Sequence, residues 1–416
     1  MKVLPGVAAR AAAAVAVLSA LGWAAWVVIA PPPRLDKEAV AALASSGRFQ
    51  EGEAQVAAYL RSRPDDPSAL LLAAQMALDR PEPTENDAER AEGYLKHIHH
   101  VSRRMSANVE YDRGKAAFYR SRMDQAEKSW RQALDIDPSV PEAAWGLLAI
   151  YYVEGRGREA RALALRQHLV EPDPRDRVLY LLELVRADCQ KIAPAGVVRW
   201  TEPVVRKNPD DLRARLAHDR GLVLGMKVDE GLDDLRAVLA AHPDDPDVWD
   251  ALLNAVADGG ASAEELIASV GRLPRPLVAD PRFAKHLGRA AREKLDWMGA
   301  IAQYRRAIAA DPGDTTTRYR LARALRSAHK LAEADRLDRE LQDVRAANNE
   351  MVLLYEKVQG DKRLGAVPDP ELYRRFADLR ERLGHRDEAA AWYRLALQAK
   401  PDDAFSSAAV KRLDAP

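Results

Sequence analysis

The chain has 416 residues, of which 47% are hydrophobic and 30% charged, and its 63 basic side chains are matched by 63 acidic ones. This composition is typical of a globular protein and excludes a disordered, collagen-like or polytopic membrane protein. A net charge of zero provides no overall positive field for holding a phosphate backbone, so we expect no nucleic-acid partner.

The first predicted element is a membrane-spanning helix. Residues 11–30 form an uncharged run of twenty residues, and a helix of that length rises about 30 Å, the thickness of the hydrocarbon core of a bilayer. Lys2 and Arg10 precede the run, whereas the basic residues just after it are offset by acidic ones, which favours a cytoplasmic N-terminus and an extracytoplasmic body. The alternative is a secretory leader that is cleaved, which would release the body into the periplasm.

A short phrase then returns along the chain, with prolines at positions 64, 138, 172, 209, 243, 312 and 401. The gaps between these prolines are 74, 34, 37, 34, 69 and 89 residues, which are multiples of roughly 34 to 37 plus one insertion. Proline ends one helix, and the Asp or Ser that follows caps the next. Glycines break most units midway, as at Gly47, Gly155 and Gly384. Each unit is therefore predicted to be a helix, a tight turn and a second helix.

The units resemble the tetratricopeptide repeat family. The unit that ends at Pro312 carries the residues of the family pattern: Leu287, Gly288, Ala300, Tyr304, Ala307 and Pro312. The units ending at Pro138 and Pro401 match it nearly as well. The resemblance implies an all-α fold, a right-handed superhelix of about ten helical hairpins preceded by the one membrane helix.

The predicted organisation has four parts. Residues 1–33 are the cytoplasmic N-terminus and membrane anchor, and residues 36–346 form the repeat solenoid. Residues 347–367 interrupt the pattern as an irregular insertion that begins as a lengthened helix. Residues 368–416 form a C-terminal repeat unit and tail.

In the family, the first helix of each unit lines a concave wall that binds other polypeptides. Transferred to this chain, the resemblance predicts a basic wall made of Arg282, Lys285, Arg289 and Arg292, continued in the next unit by Tyr319, Arg323 and Arg326. Guanidinium groups bind carboxylates through paired hydrogen bonds, so an acidic peptide segment or a C-terminal carboxylate is the expected ligand. The alternative is a solvated face that Glu293 and neighbouring acids neutralise.

The same transfer predicts an aromatic wall earlier in the chain, made of Tyr111, Phe118, Trp145 and Tyr152. Aromatic side chains in a groove anchor partner side chains, but the same residues can pack against an adjacent helix. Both interpretations remain open from the sequence.

No sequence pattern points to catalysis. His97, His99 and His100 are the densest histidine cluster, but a metal site needs a third converging ligand, so we expect no metal and no cofactor. The only cysteine, Cys189, has no base at a recognisable spacing, and it is predicted to be a small packing residue. No P-loop, dinucleotide fingerprint or nucleophile elbow is present, and we expect neither enzymatic activity nor a small-molecule substrate.

The predicted function is that of a scaffold or assembly factor of the bacterial cell envelope, tethered to the inner membrane and binding partner polypeptides in its concave groove. The alternative is a non-catalytic regulatory or adaptor subunit of a membrane enzyme, or of a secretion or pilus complex.

Overall fold

The computed structural model describes residues 35–190, 192–260, 262–359 and 367–415. Over this part of the chain the secondary structure is helical and contains no β-strand. The α-helices are α1 (Lys37–Ser45), α2 (Phe49–Leu60), α3 (Pro67–Leu78), α4 (Glu85–Leu95), α5 (Arg103–Tyr119), α6 (Met123–Ile136), α7 (Pro141–Val153), α8 (Gly157–Val170), α9 (Pro174–Cys189), α10 (Pro194–Lys207), α11 (Leu212–Leu224), α12 (Val228–Ala241), α13 (Pro246–Asp258), α14 (Ala263–Gly271), α15 (Arg275–Ala279), α16 (Ala284–Glu293), α17 (Trp297–Ala310), α18 (Thr315–Ser327), α19 (Leu331–Val358), α20 (Pro370–Arg382), α21 (Arg386–Ala399) and α22 (Ala404–Leu413).

Eighteen of these helices pack in sequence as nine hairpins, whereas α9, α10, the short α15 and the terminal α22 stand outside these pairs. The prediction of an all-α hairpin solenoid with about ten pairs is confirmed for the described residues. The chain divides into two compact units between Val101 and Ser102, with α1–α4 in the first unit and α5–α22 in the second.

The recurring Pro-Asp phrase acts as predicted. Asp66 is the N-cap of α3, where its carboxylate accepts hydrogen bonds from the backbone N–H groups of Ser68 and Ala69, and Pro67 occupies the first turn. Asp245 caps α13 in the same way, followed by Pro246. The cap satisfies donors that have no partner inside the helix, and the fixed φ of proline suits the first helical position.

The predicted membrane helix, residues 11–30, lies outside the described residues. Within the described part, no helix is both long and apolar enough to cross a bilayer. The segment predicted as irregular, residues 347–367, begins inside α19, which continues without a break to Val358. Helix α19 is 28 residues long and contains the first part of this segment.

Trp130 shows how one repeat packs against the next. Its ring is buried between Gly114 of α5 and Gly146 of α7, where an added Cβ would come within 2.4 Å and 2.6 Å of ring atoms. Its indole Nε1 donates a hydrogen bond to the backbone carbonyl of Tyr111 at 3.1 Å. The two glycines thus leave the space that the indole fills.

Replacing Gly146 with alanine should destabilise the protein by about 1–3 kcal/mol, because the new methyl group overlaps the buried ring of Trp130. The control is Gly271→Ala at the end of α14, where an added Cβ meets nothing within 4 Å and no loss is expected. Urea unfolding midpoints measure both changes. Equal stability of the two variants would mean that Trp130 does not sit where we describe it.

The second unit also makes contacts between hairpins that are far apart in sequence. Helix α21 packs against α8 and α9, and α19 packs against α9. One hydrophobic cluster accordingly contains core residues of α5–α9 together with those of α19–α22. The C-terminal repeat therefore docks on the middle of the second unit.

A cluster of charged side chains holds this contact, and we call it the clasp: Arg161, Asp188, Arg380, His385 and Glu388. Arg380 is completely buried and donates to Glu388 Oε2 through Nε at 2.7 Å, and to Asp188 Oδ2 through Nη1 at 2.7 Å. Arg161 of α8 bridges the same two carboxylates. Two arginines thus match two carboxylates, as buried charges require.

The electrostatics of the clasp follow from its burial. Burial alone would raise the pKa of the Asp188 carboxyl, but the charges of Arg380 and Arg161 outweigh this effect and lower the pKa overall. Burial, with the charge of Arg380, lowers the pKa of His385 to about 4, so this ring is neutral at physiological pH. The clasp therefore carries no net charge.

Candidate functional site

The first part of the predicted basic wall faces acidic residues of the preceding hairpin. Arg282 pairs with Asp247 of α13 at 3.1 Å and with Asp280 at 2.7 Å, and Lys285 lies 3.8 Å from Asp250. Arg282 and Lys285 line a cavity of about 430 Å³ to which α8 and α11 also contribute. These two cations are neutralised inside the protein, which matches the solvated-face alternative more closely than a free anion site.

Arg289 of α16 is half-buried, and its guanidinium donates to the backbone carbonyl of Ala257 at 3.0 Å. Burial and the nearby charges of Arg320 and Arg292 lower its pKa. Mutual repulsion of this kind shows that several guanidinium groups share one region of the wall.

Arg292 and Arg326 each have an acidic partner. Arg292 pairs with Glu293, the residue named in the neutralised alternative, and Arg326 pairs with Asp338 of α19. Several cations of the predicted basic wall are therefore neutralised by acidic partners.

The unpaired part of the wall lies on α18. Tyr319 is 45% exposed. Arg320 and Arg323 have no salt-bridge partner within the described part of the chain. Arg323 is exposed, and a cation of this kind remains available to an external carboxylate. The sequence analysis named Tyr319 and Arg323 but missed Arg320, which the family pattern does not place on the inward face.

A cavity of about 610 Å³ adjoins Tyr319, and Thr315, Thr316, Arg345, Asn348 and Asn349 also line it. Arg345, Asn348 and Asn349 belong to the lengthened part of α19. The sequence analysis missed them because this segment departs from the repeat pattern. Asp188 and His385 of the clasp also line this cavity. Its amide and hydroxyl groups can hydrogen-bond the backbone of an extended peptide.

The predicted aromatic wall takes part in packing. The Phe118 ring lies 5.8 Å from that of Trp130 and 5.5 Å from that of Trp200 in α10, measured between ring centroids. Tyr111 packs against the same hydrophobic cluster. For these two residues the contacts favour the packing alternative.

Trp145 and Tyr152 both lie on α7. The ring of Trp145 stacks on the buried ring of Tyr180 at 4.8 Å, with an angle of 8° between the planes. The hydroxyl of Tyr152 is buried without a hydrogen-bond partner among the described residues. Tyr152 also lines a separate cleft between α7, α9, α10 and α11.

The histidine cluster lies in a turn rather than on a helix. Helix α4 ends at Leu95, so His97, His99 and His100 occupy the turn that follows, and His100 has a positive φ of 53°. All three side chains are exposed. Cys189 is half-buried at the end of α9, and burial together with the charge of Asp188 raises its pKa.

One buried carboxyl has no counter-ion of its own. Asp219 of α11 is 1% exposed, and burial together with the nearby carboxylate of Asp234 raises its pKa to about 8. Asp234 pairs with Arg215 at 2.8 Å, which leaves Asp219 as the protonated member of the two acids.

Stability should therefore fall as pH rises toward 8. Folded Asp219 keeps its proton up to a pKa of about 8, whereas the unfolded chain loses it near pH 4. Between these values the folded state binds more protons, so unfolding becomes easier as pH increases. We expect Asp219→Asn to remove this dependence and to gain at least about 1 kcal/mol relative to the parent between pH 5 and pH 8.

Urea midpoints at pH 5 and pH 8 measure the effect of Asp219→Asn. Asp229→Asn, which changes an exposed carboxylate at the start of α12, is the matched control. A constant difference between Asp219→Asn and the parent at both pH values would contradict a protonated Asp219.

The fold defines the class of the protein as a helical-hairpin repeat protein. The profile of the tetratricopeptide repeat family matches residues 38–94, 111–176, 286–349 and 370–403, just over half of the chain. The chain belongs to the tetratricopeptide repeat family. The matched segments include the part of the basic wall from Arg289 to Arg326, but not Arg282 or Lys285. They also include the C-terminal repeat, which contributes Arg380, His385 and Glu388 to the clasp.

Among curated proteins, the chain is similar to cellulose synthase operon protein C of Pseudomonas fluorescens (strain SBW25), with 34% identity over 125 residues. The match covers 28% of this chain and 10% of that protein, so the chain spans about a tenth of the length of this relative.

Solved structures with similar folds include the APC/C hetero-tetramer Cut9-Hcn1, at 14% identity and a TM-score of 0.31 over 90% of this chain and 89% of the other. Human IFIT1 bound to m7Gppp-AAAA has 12% identity and a TM-score of 0.35 over 87% and 89%. At TM-scores this low, neither similarity says anything about what this chain binds.

Proposed function

We propose that the protein is a scaffold that binds acidic segments of partner polypeptides along α18 and the adjoining cavity. Tetratricopeptide repeats generally bind other proteins, and this family membership supports a binding role rather than a catalytic one. The observation that carries the proposal is the pair of free arginines, Arg320 and Arg323, beside exposed Tyr319. Elsewhere on the wall Arg282, Lys285, Arg292 and Arg326 are matched by acids.

A double charge reversal tests this surface. Arg320→Glu with Arg323→Glu should weaken the binding of a fluorescein-labelled pentaglutamate peptide at least about tenfold, because both attractive charges become repulsive. Fluorescence anisotropy at two salt concentrations measures this affinity, and the parent should bind more weakly in higher salt. The matched control is Arg339→Glu, which reverses an exposed arginine on α19. Equal losses of peptide affinity in the double variant and in Arg339→Glu would mean that α18 is not the binding surface.

We further propose that the scaffold is tethered to the inner membrane of a bacterium through residues 11–30, with the repeats on the extracytoplasmic side. The uncharged run and the basic residues before it support this topology. The full-length chain should sediment with membranes and resist extraction at high salt. Recovery of a soluble mature form that begins after residue 30 would instead mean that the leader is cleaved.

A second candidate is an adaptor subunit that holds a membrane enzyme, as in the alternative drawn from the sequence. The similarity to a protein named for the cellulose synthase operon favours this candidate. In that case purification from solubilised membranes should yield a stoichiometric complex with a catalytic subunit. The two candidates share the binding surface and differ in the partner.

A further inference from the structure

A second surface lies in the middle of the second unit, where α7, α9, α10 and α11 surround a cleft of about 210 Å³. Its wall is mainly apolar and includes Val153, Ala187, Pro194, Val197 and Leu224. These residues sit near the ends of first helices or the start of a second helix, away from α18. The cleft is therefore distinct from the proposed acidic-segment surface.

The polar groups of this cleft are cationic or neutral. The cleft is lined by Arg186, Gln190, Arg220 and Tyr152. Among the described residues, no aspartate or glutamate lines it. Arg186 is already neutralised, because its Nε donates to Glu183 at 2.7 Å. Among the described residues, Arg220 is then the guanidinium of this cleft without an acidic partner. It also borders a neighbouring cavity lined by Glu154, Asp247 and Asp250, but each of these acids pairs with another cation.

The position of Arg220 depends on a glycine. A Cβ added at Gly155 would lie only 2.0 Å from Nη1 of Arg220, and Gly155 has a positive φ of 72°. Only glycine suits both conditions. Within the described ranges, the guanidinium of Arg220 forms neither a salt bridge nor a hydrogen bond. Because this side chain is exposed, its charge is available to an external carboxylate.

The rim of the cleft exposes large apolar side chains. Ile192 is 41% exposed, Leu224 is 44% exposed and Met226 is 86% exposed. The two turns that carry them are adjacent, since a Cβ at Gly225 would lie 3.9 Å from Pro194 Cβ. Covering these side chains would release water from apolar surface, so the rim favours a ligand with an apolar body.

We propose that this cleft binds a partner polypeptide through one apolar side chain whose neighbouring residue carries a carboxylate. The volume of about 210 Å³ exceeds that of an engineered cavity of about 150 Å³ that takes up benzene, so one leucine or phenylalanine side chain fits. The single free charge of Arg220 matches one carboxylate. The inference rests on the proposed polypeptide-binding role but uses different residues.

Three blocked dipeptides test the two requirements separately on the purified full-length chain, by isothermal titration calorimetry. N-acetyl-Leu-Glu-amide should bind. N-acetyl-Leu-Gln-amide, which lacks the charge, should bind about fivefold more weakly. N-acetyl-Ala-Glu-amide, which lacks the apolar body, should bind at least about tenfold more weakly.

Two variants locate the binding. Arg220→Met should abolish the preference for Glu over Gln, and Leu224→Ser should weaken the binding of both leucine dipeptides. Both positions are exposed, and unchanged circular dichroism spectra verify that the variants are folded. Arg272→Met, at another exposed arginine, is the control and should behave like the parent.

The proposal is overturned if the Glu and Gln dipeptides bind the parent equally, or if Arg220→Met retains the preference. The Arg320→Glu, Arg323→Glu double variant should bind N-acetyl-Leu-Glu-amide normally while losing pentaglutamate. This comparison separates a failure of the cleft from a failure of the scaffold surface on α18.

Discussion

Replacing Arg380 with alanine should destabilise the second unit by about 3–5 kcal/mol, since it leaves buried carboxylates without their partner. Glu388 is only 3% exposed and receives two hydrogen bonds from the Arg380 guanidinium, and Asp188 receives one. Arg161 alone cannot compensate both acids. The remaining negative charge must be hydrated or protonated, and either response loosens the contact between α21 and the middle hairpins.

The effect of Arg380→Ala should depend on pH. The charge of Arg380 helps to lower the pKa of Asp188. Removing the guanidinium should therefore raise this pKa, so protonation of Asp188 at acidic pH relieves part of the penalty. Urea midpoints at pH 7 and pH 4.5 measure this dependence. The matched control is Arg382→Ala on the same helix, whose pair with Asp343 is solvent-exposed and should contribute no more than about 1 kcal/mol. A small effect at Arg380 that does not depend on pH would contradict a buried clasp.

The second large effect is expected at Trp392. This side chain is completely buried in α21, and its ring lies 4.7 Å from that of Phe376 and 5.8 Å from that of Tyr373, both in α20. Trp392→Ala should cost about 3–5 kcal/mol, the usual loss when a large aromatic is removed from a core that cannot collapse around the cavity. Trp297→Ala, at a half-buried tryptophan that begins α17, is the control and should cost far less.

Hydrogen exchange should show which helices lose stability in the Trp392→Ala variant. An array of repeats in which each unit contacts only its neighbours would lose protection in α20–α22 alone. Because α21 also packs on α8 and α9, we expect faster exchange in those two helices as well. Unchanged protection of α8 and α9 would mean that the C-terminal repeat contributes nothing to the middle of the unit.

Local features of the fold were predictable from the sequence because their signals are local. The Pro-Asp phrases marked helix ends, and Gly47, Gly155 and Gly384 marked turns, each with a positive φ. Other turns were harder to recognise, since Ser121 and Met226 hold the left-handed conformation without being glycine. A side chain there costs conformational energy that the rest of the hairpin must supply.

The clasp could not be predicted, because nothing in a repeat pattern relates residues that are 192 positions apart, as Asp188 and Arg380 are. The salt bridges of the basic wall could not be predicted from the sequence either. The family pattern places Arg282 and Lys285 on an inner face but says nothing about which acids face them from the preceding hairpin. Arg323 was predicted as part of the wall, but only the structure shows that it and Arg320 lack an acidic partner among the described residues, and their binding role is a proposal.

The central claim is that the C-terminal repeat is docked on α8 and α9. Spin labels at Ala162 and Asp387 test it most directly, in a chain whose only native cysteine is replaced by Cys189→Ser. Both positions are exposed, and each lies next to a residue of the clasp. Double electron–electron resonance should give one narrow peak at short distance that broadens in Arg380→Ala. A broad distribution in the parent, unaffected by that substitution, would contradict the docked arrangement.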